Sequence, residues 1–295
     1  MRRQNVLMTG CNFPLGRCAA EALSARGHWV FATMADCFGA GVKEARQLQN
    51  FGLMKGYQLD VLEMDVTQEA SVDRAVGSII ARAGHLDVVV HSAGIGALGL
   101  AEAFTVSQLK TIFEHNVFGV QRVNRAVLPH MRERRSGLLL HVSSILGRFA
   151  MPNLAVFDAS MFAMEALAEA YRYELSAVGV DSIILEPGTF ATDLTRTSIL
   201  PEDVDRISHY GDNADLGERI TSHGSFVESQ PSAELREVVD VLIDLVEMEP
   251  GTRPLRTVVD PDASPELDEL NAASANVSQR YLETMGQESL LRLRR

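Results

Sequence analysis

The sequence of 295 residues is short of cysteine, of long apolar runs and of clustered positive charge. Its three cysteines, Cys11, Cys18 and Cys37, are odd in number and lack metal-ligand spacing, so neither a disulfide framework nor a bound metal is expected. Free thiols suit a reducing compartment. Beyond the terminal Leu293-Arg294-Arg295 there is no basic stripe, and a formal net charge of −12 repels polyanions, which argues against a nucleic-acid partner. After Met1-Arg2-Arg3-Gln4-Asn5 the apolar run reaches only Val6-Leu7-Met8 before Thr9-Gly10 breaks it, too short for the core of a signal peptide. The expectation is a cytoplasmic chain with no membrane partner. No repeat, low-complexity stretch or linker interrupts it, so residues 1–295 are expected to form a single domain.

What the chain does have is an apolar content of 46%, enough for a sizeable core, arranged as short branched runs that alternate with helical patterns. Seven runs read as strands: Asn5 to Thr9, His28 to Met34, Gln58 to Met64, Leu86 to His91, Gly137 to Ser143, Asp181 to Glu186 and Leu255 to Val259. Strands alternating with helices build βαβ units, so the fold class is α/β, a Rossmann-like doubly wound parallel sheet of about seven strands with helices on both faces. Leu15 to Arg26 reads as a helix that puts Ala19, Ala22 and Leu23 on one side and stops at Gly27. Thr105 with Gln108 resembles a capping box, opening a long helix through Ile112, Asn116 and Val123 to the region of Pro129 to Arg135. Ala155 to Val178 is apolar almost all round, and Phe157, Phe162, Leu167, Tyr171 and Leu175 cannot all face one core, so part of it is expected to pack on another subunit. Residues 189–229 form a polar, acidic stretch read as a lid, and residues from about 260 to 295 form a C-terminal extension.

The first strand runs into Thr9-Gly10-Cys11-Asn12-Phe13-Pro14-Leu15-Gly16 and then a helix, the setting in which a glycine-rich turn holds a pyrophosphate. Its companions follow in order: Asp65-Val66, then Ser92-Ala93-Gly94, Asn116, Ser143-Ser144, and Pro187-Gly188 with Thr192. Together these resemble the short-chain dehydrogenase/reductase family over about Asn5 to Val259. The resemblance implies an NAD or NADP site built from Gly10, Asn12, Gly16, Asp65, Val66, Ala93, Gly94, Pro187, Gly188 and Thr192, and a homodimer or homotetramer. It also implies that Ser144 polarises a carbonyl oxygen and that Asn116 holds a water of the proton relay. The family's tyrosine and lysine would fall thirteen and seventeen residues after Ser144, where this chain has Phe157 and Met161.

Other departures cluster at the same place. Pro14 stands where the family has its middle glycine and offers no N–H to a phosphate. Phe13 before it is bulky. At the end of the second strand Met34-Ala35 presents neither the acid of an NAD site nor the base of an NADP site, with Asp36 one or two positions late. His91-Ser92 replaces two amides of the family's Asn-Asn-Ala-Gly motif. These substitutions argue against retention of the dinucleotide.

Several residues carry two readings. Ser144 can polarise an oxygen or bond the next turn. Asn116 can serve a relay or hold a kink and a water. His91, or less readily His141, could replace the missing acid. Asp158 lies about 100° around the helix from Phe157 and is expected to miss the pocket. Cys11 reads as a small filler, and Phe13, Phe157 and Met161 as the lining of an apolar pocket or as core. General acid catalysis contributes roughly 10²- to 10⁴-fold in rate, and phenylalanine supplies none of it. The expectation is therefore a non-redox catalyst, of lyase, isomerase or cyclase type, using Ser144, Asn116 and His91 on a small apolar molecule. The alternatives are an NAD(P)-dependent oxidoreductase acting on a hydroxyl or carbonyl group with a substitute acid, and a non-catalytic ligand-binding or partner subunit.

Overall fold

In the computed structural model, which describes residues 3–188, 198–211, 233–260 and 262–294, the apolar runs become the strands of one sheet. They are β1 (Asn5–Met8), β2 (Trp29–Met34), β3 (Leu59–Glu63), β4 (Val88–His91), β5 (Gly137–Val142), β6 (Val180–Pro187) and β7 (Arg256–Val259). Among the described residues they form a seven-stranded sheet in the order β3-β2-β1-β4-β5-β6-β7. Every pairing is parallel. A parallel sheet covered on both faces explains why β1, β4 and β6 are buried along their whole length and read as continuous rather than alternating apolar runs.

Successive side chains still part to opposite faces. Val6 and Met8 join one core, with Leu15, Ala19 and Leu23 of α1 (Pro14–Ala25) and Leu48 of α2 (Val42–Lys55). Leu7 joins the other, with Val72 and Ile79 of α3 (Glu69–Ala83). The long helix expected from Thr105 is three pieces: α4 (Val106–Phe113), a π-helical turn (Glu114–Phe118) and α5 (Gly119–Arg134), whose Val123 and Val127 pack in the second core. Its Thr105–Gln108 capping box is present. A third apolar cluster lies on α6 (Ala155–Ser176), where Phe157, Met161 and Met164 meet Ile112, Val120 and Ile184. Phe157 and Leu175 of this helix are buried and Phe162 is 42% exposed, so its apolar girdle is only partly covered by its own chain.

Of the expected lid, residues 189–197 and 212–229 lie outside the described residues. The described part, with the short α7 (Val204–Ser208), is tied to the segment before α4: Ile199 donates to Gly96 and accepts from Leu98, and Gln108 donates to Leu200. The last elements are α8 (Ala233–Glu247), which completes the first core through Val238, Leu242 and Val246, and α9 (Ser264–Thr284), which holds most of the C-terminal extension. No helix of the described residues is long and apolar enough to cross a membrane.

A close backbone contact joins α1 to the turn that precedes it. A Cβ at Gly16 would lie 2.4 Å from the carbonyl oxygen of Gly10, backbone that no rotamer change can move. Alanine's better helix propensity, roughly 1 kcal/mol, opposes that clash but does not outweigh it. Gly16→Ala is therefore expected to destabilise the fold by about 1 to 3 kcal/mol, read from the urea midpoint. An unchanged midpoint would show that the turn yields.

Candidate active site

The cleft begins where β1 and β4 lie side by side and their crossovers part to opposite faces, the switch point at which open α/β sheets take ligands. The Thr9 hydroxyl oxygen accepts from the amides of Ser92 and Ala93, both at 3.0 Å. This draws the loop after β4 onto the loop after β1. Gly10 then passes so close, at φ +72°, that a Cβ there would sit 2.7 Å from the Ala93 backbone.

Pro14 costs less here than its sequence position suggests, because it occupies the first position of α1, where a backbone N–H has no helical partner in any case. Phe13 at the cap places no side chain on the helix end. The amides of Leu15 and Gly16 accordingly find no acceptor among the described residues and remain available to an anion. Asn12 is exposed beside them.

The cleft is walled by Phe13, Pro14 and Leu15, by His91 through Gly96, by Asn116 and Val120, by Val142 and Ser143, and by Phe157, Met161 and Met164. Phe157 and Met161, thirteen and seventeen residues past Ser144, line this cleft, each buried and apolar. Asp65, Val66, Pro187 and Gly188 do not line it. Asp65 folds back to accept from the amide and hydroxyl of Thr67, Val66 packs under Gly119, and the Gly188 amide donates to Val259. Thr192 lies outside the described residues.

Asn116 sits within the π-helical turn and ties three pieces together. Its Oδ1 accepts from the Ile95 amide at 2.8 Å, and its Nδ2 donates to Ile95 O and Ser160 Oγ, each at 2.9 Å. Both side-chain atoms are thus engaged in positioning the cleft wall against α6, which matches its kink-holding reading. Ser144 likewise turns inward: its Oγ accepts from the Leu146 amide at 3.2 Å, capping a short 3₁₀ turn.

The other candidates divide by environment. His91 reaches the cleft wall, but its Nε2 lies 2.8 Å from Asn124 Oδ1 and its ring stacks on His141 at 4.8 Å. Burial pushes His91 down to about 4 and holds His141 well below its ordinary value, so both rings are neutral near pH 7. A neutral imidazole is a poor proton donor. Asp158 accepts from the Met151 amide at 2.8 Å, is pushed up to about 6 by burial and does not line the cleft. Cys11 is buried with its thiol held protonated, as a filler would be.

The residues that sequence reasoning passed over are Ser143 and Glu165. Ser143 lines the cleft and donates to Glu165 Oε1 at 2.6 Å. The signal was present: Phe157, Met161 and Glu165 recur every four residues and share a face of α6.

The sequence pattern of the short chain dehydrogenase family matches residues 4–202, and the chain belongs to that family. It is 32% identical over 213 residues to a 3-ketodihydrosphingosine reductase of Bacteroides thetaiotaomicron, a match covering 72% of this chain and 74% of that protein. It is 32% identical over 193 residues to retinol dehydrogenase 8 of Bos taurus, covering 64% of this chain and 60%, less than two thirds, of that one. Among solved structures, a short-chain dehydrogenase from Streptomyces avermitilis superposes with a TM-score of 0.75 at 26% identity, over 97% of this chain and 98% of that one. Relatives named as a reductase and a dehydrogenase overturn the expectation of a lyase, isomerase or cyclase. That expectation took the apolar pair at 157 and 161 as the end of redox chemistry, whereas the relatives are named for redox reactions.

The buried imidazole makes a pH prediction. The unfolded chain takes up this proton near 6.5 and the folded chain only near 4. The stability that His91 contributes is therefore complete above pH 6.5 and lost as pH falls toward 4, by roughly 3 kcal/mol at 1.36 kcal/mol per pH unit. In NMR titrations the His91 ring should show no protonation between pH 8 and 5. A midpoint near 6.5 would contradict the assignment.

Proposed function

We propose that this chain is an NAD(P)-dependent oxidoreductase acting on a hydroxyl or carbonyl group of a small, mainly apolar molecule. The observation that carries the reading is the match to a reductase along nearly three quarters of both chains, supported by a cleft whose reacting end is apolar. Relatives named for retinol and 3-ketodihydrosphingosine fit the same preference for greasy substrates.

The dinucleotide fits the residues present. The free amides of Leu15 and Gly16 at the start of α1 would hold its pyrophosphate, and Gly10 and Gly16 supply the close backbone approach the turn needs. Bound there, a nicotinamide supplies or accepts a hydride. Phe157, Met161 and Met164 exclude water from the reacting atoms, which strengthens every polar interaction left in the cleft. Asn116 fixes the wall formed by Ile95. Just past β2, Asp36 is exposed with its carboxylate accepting from the Ala40 amide, and Glu63 adds a second acid at that end by accepting from the Cys37 amide. Their charge disfavours NADP relative to NAD. A homodimer or homotetramer belongs to the same proposal, supported by the half-exposed Phe162 on α6; a single-chain mass in light scattering would contradict it.

Titration of NADH and NADPH by fluorescence or calorimetry is expected to give micromolar binding of NADH and weaker binding of NADPH. Oxidation of NADH should accelerate when apolar ketones or aldehydes are added. Absence of binding for both dinucleotides at millimolar concentration would refute the reading.

A further inference from the structure

We propose that Ser143 is the hydroxyl that delivers the proton to the reacting oxygen in this cleft, and that Glu165, backed by Glu186 and Arg256, resupplies it. The inference rests on the oxidoreductase reading above and names the acid that Phe157 cannot provide.

Ser143 lines the same cleft as Phe157, and its Oγ is in hydrogen-bond contact with a buried carboxyl. Behind it stands a cluster contributed by five elements. Glu165 Oε2 accepts from Arg256 Nε at 3.1 Å, and Arg148, after β5, reaches the same oxygen at 4.0 Å. Glu169, one turn along α6, accepts from Arg256 Nη2 at 2.7 Å and from Tyr173 and Ser278. Glu186, at the end of β6, accepts from Asn271 of α9 at 2.8 Å, and Asn271 in turn accepts from Arg148 at 2.7 Å. The other oxygen of Glu186 lies 3.2 Å from Arg256 Nε but accepts no hydrogen bond among the described residues, because that N–H is directed to Glu165.

Three carboxyls, of Glu165, Glu169 and Glu186, therefore face two guanidiniums, of Arg148 and Arg256. One proton on the acids balances the charge, and a buried site demands that balance. Burial and the neighbouring Glu165 push Glu186 up to about 8, so the proton is held at neutral pH. Glu165 and Glu186 converge on a single nitrogen, Arg256 Nε.

The step balances in the reducing direction. The carbonyl carbon gains a hydride with its electron pair from reduced nicotinamide dinucleotide, which is oxidised, and the carbonyl π pair moves to oxygen. That oxygen takes the Ser143 proton as the serine O–H breaks. Serine regains its proton through Glu165 as Glu165 takes the one proton that Glu186 holds, and Glu186 is left ionised beside Arg256. Solvent restores Glu186 through the Asn271 side of α9, which is part-exposed.

The test uses the full-length protein with NADH and an accepted apolar ketone, together with infrared spectra of the protonated-carboxyl stretch at pH 7. Ser143→Ala should lower kcat by roughly 10²- to 10⁴-fold with NADH affinity unchanged, and Ser143→Thr, which keeps the hydroxyl, should stay within about tenfold of the parent. Glu186→Gln should abolish the carboxyl band and shift the pH profile of kcat, and Ser143→Ala should move that band. Wild-type kcat in Ser143→Ala, or no protonated-carboxyl band in the parent protein, overturns the proposal. A parent protein that binds no dinucleotide overturns the oxidoreductase reading, and a carboxyl band that moves in Ser143→Ala then still supports the link between the acid pair and the serine.

Discussion

The structure depends on how closely two loops approach at the centre of the sheet. Thr9 draws the amides of Ser92 and Ala93 toward the end of β1, and Gly10 clears the space for that contact by having no side chain. With β1 between β2 and β4, this contact fixes the point from which helices leave to opposite faces. The start of α1, the wall after β4 and the Asn116 turn are all referred to it. A loosened contact would misplace the two anion-binding amides and the wall together, because Asn116 hangs Ile95 from α6 by short hydrogen bonds at one end and the clamp holds the other.

Around that frame the polar chemistry has been redistributed. The positions thirteen and seventeen residues past Ser144 are apolar, and Ser144 itself caps a turn. In the cleft wall Ser143 is backed by a charge cluster in which Glu165 and Glu186 are buried and the carboxyls outnumber the guanidiniums by one. Such a cluster is a costly thing to keep in a core. On the proposed relay that cost has a purpose, a proton released toward the cleft, and a family of dehydrogenases and reductases would then accommodate a member with a phenyl ring at position 157.

Much of the scaffold was legible in the chain. Branched apolar runs placed the seven strands to within two residues at either end, and the Thr105–Gln108 box marked the start of α4 as the hydrogen bonds show it. The glycines at 10 and 16 announced a tight turn because no other residue fits there. Less legible was anything that depends on pairing across the fold. The mid-helix asparagine at 116 hinted at a kink, but its π-helical form and its partners, Ile95 on another segment and Ser160 on α6, were not visible. Spacing singled out Ser144, and only the folded chain shows that the Ser143 hydroxyl meets a buried acid while that of Ser144 caps a turn. The acid cluster is assembled from residues as far apart as Arg148 and Asn271, so no spacing rule could gather it. The mistaken inference of non-redox chemistry came from the same limit: a lost side chain is visible in a sequence, and its replacement from another element is not.

The most direct test of the account is the structure of the protein crystallised with NADH. The pyrophosphate should lie on the Leu15 and Gly16 amides, with the nicotinamide in the cleft between Phe157 and the loop after β4 and its reactive face open toward Ser143. A dinucleotide bound anywhere else, or a nicotinamide excluded by Phe13 and Phe157, would contradict it.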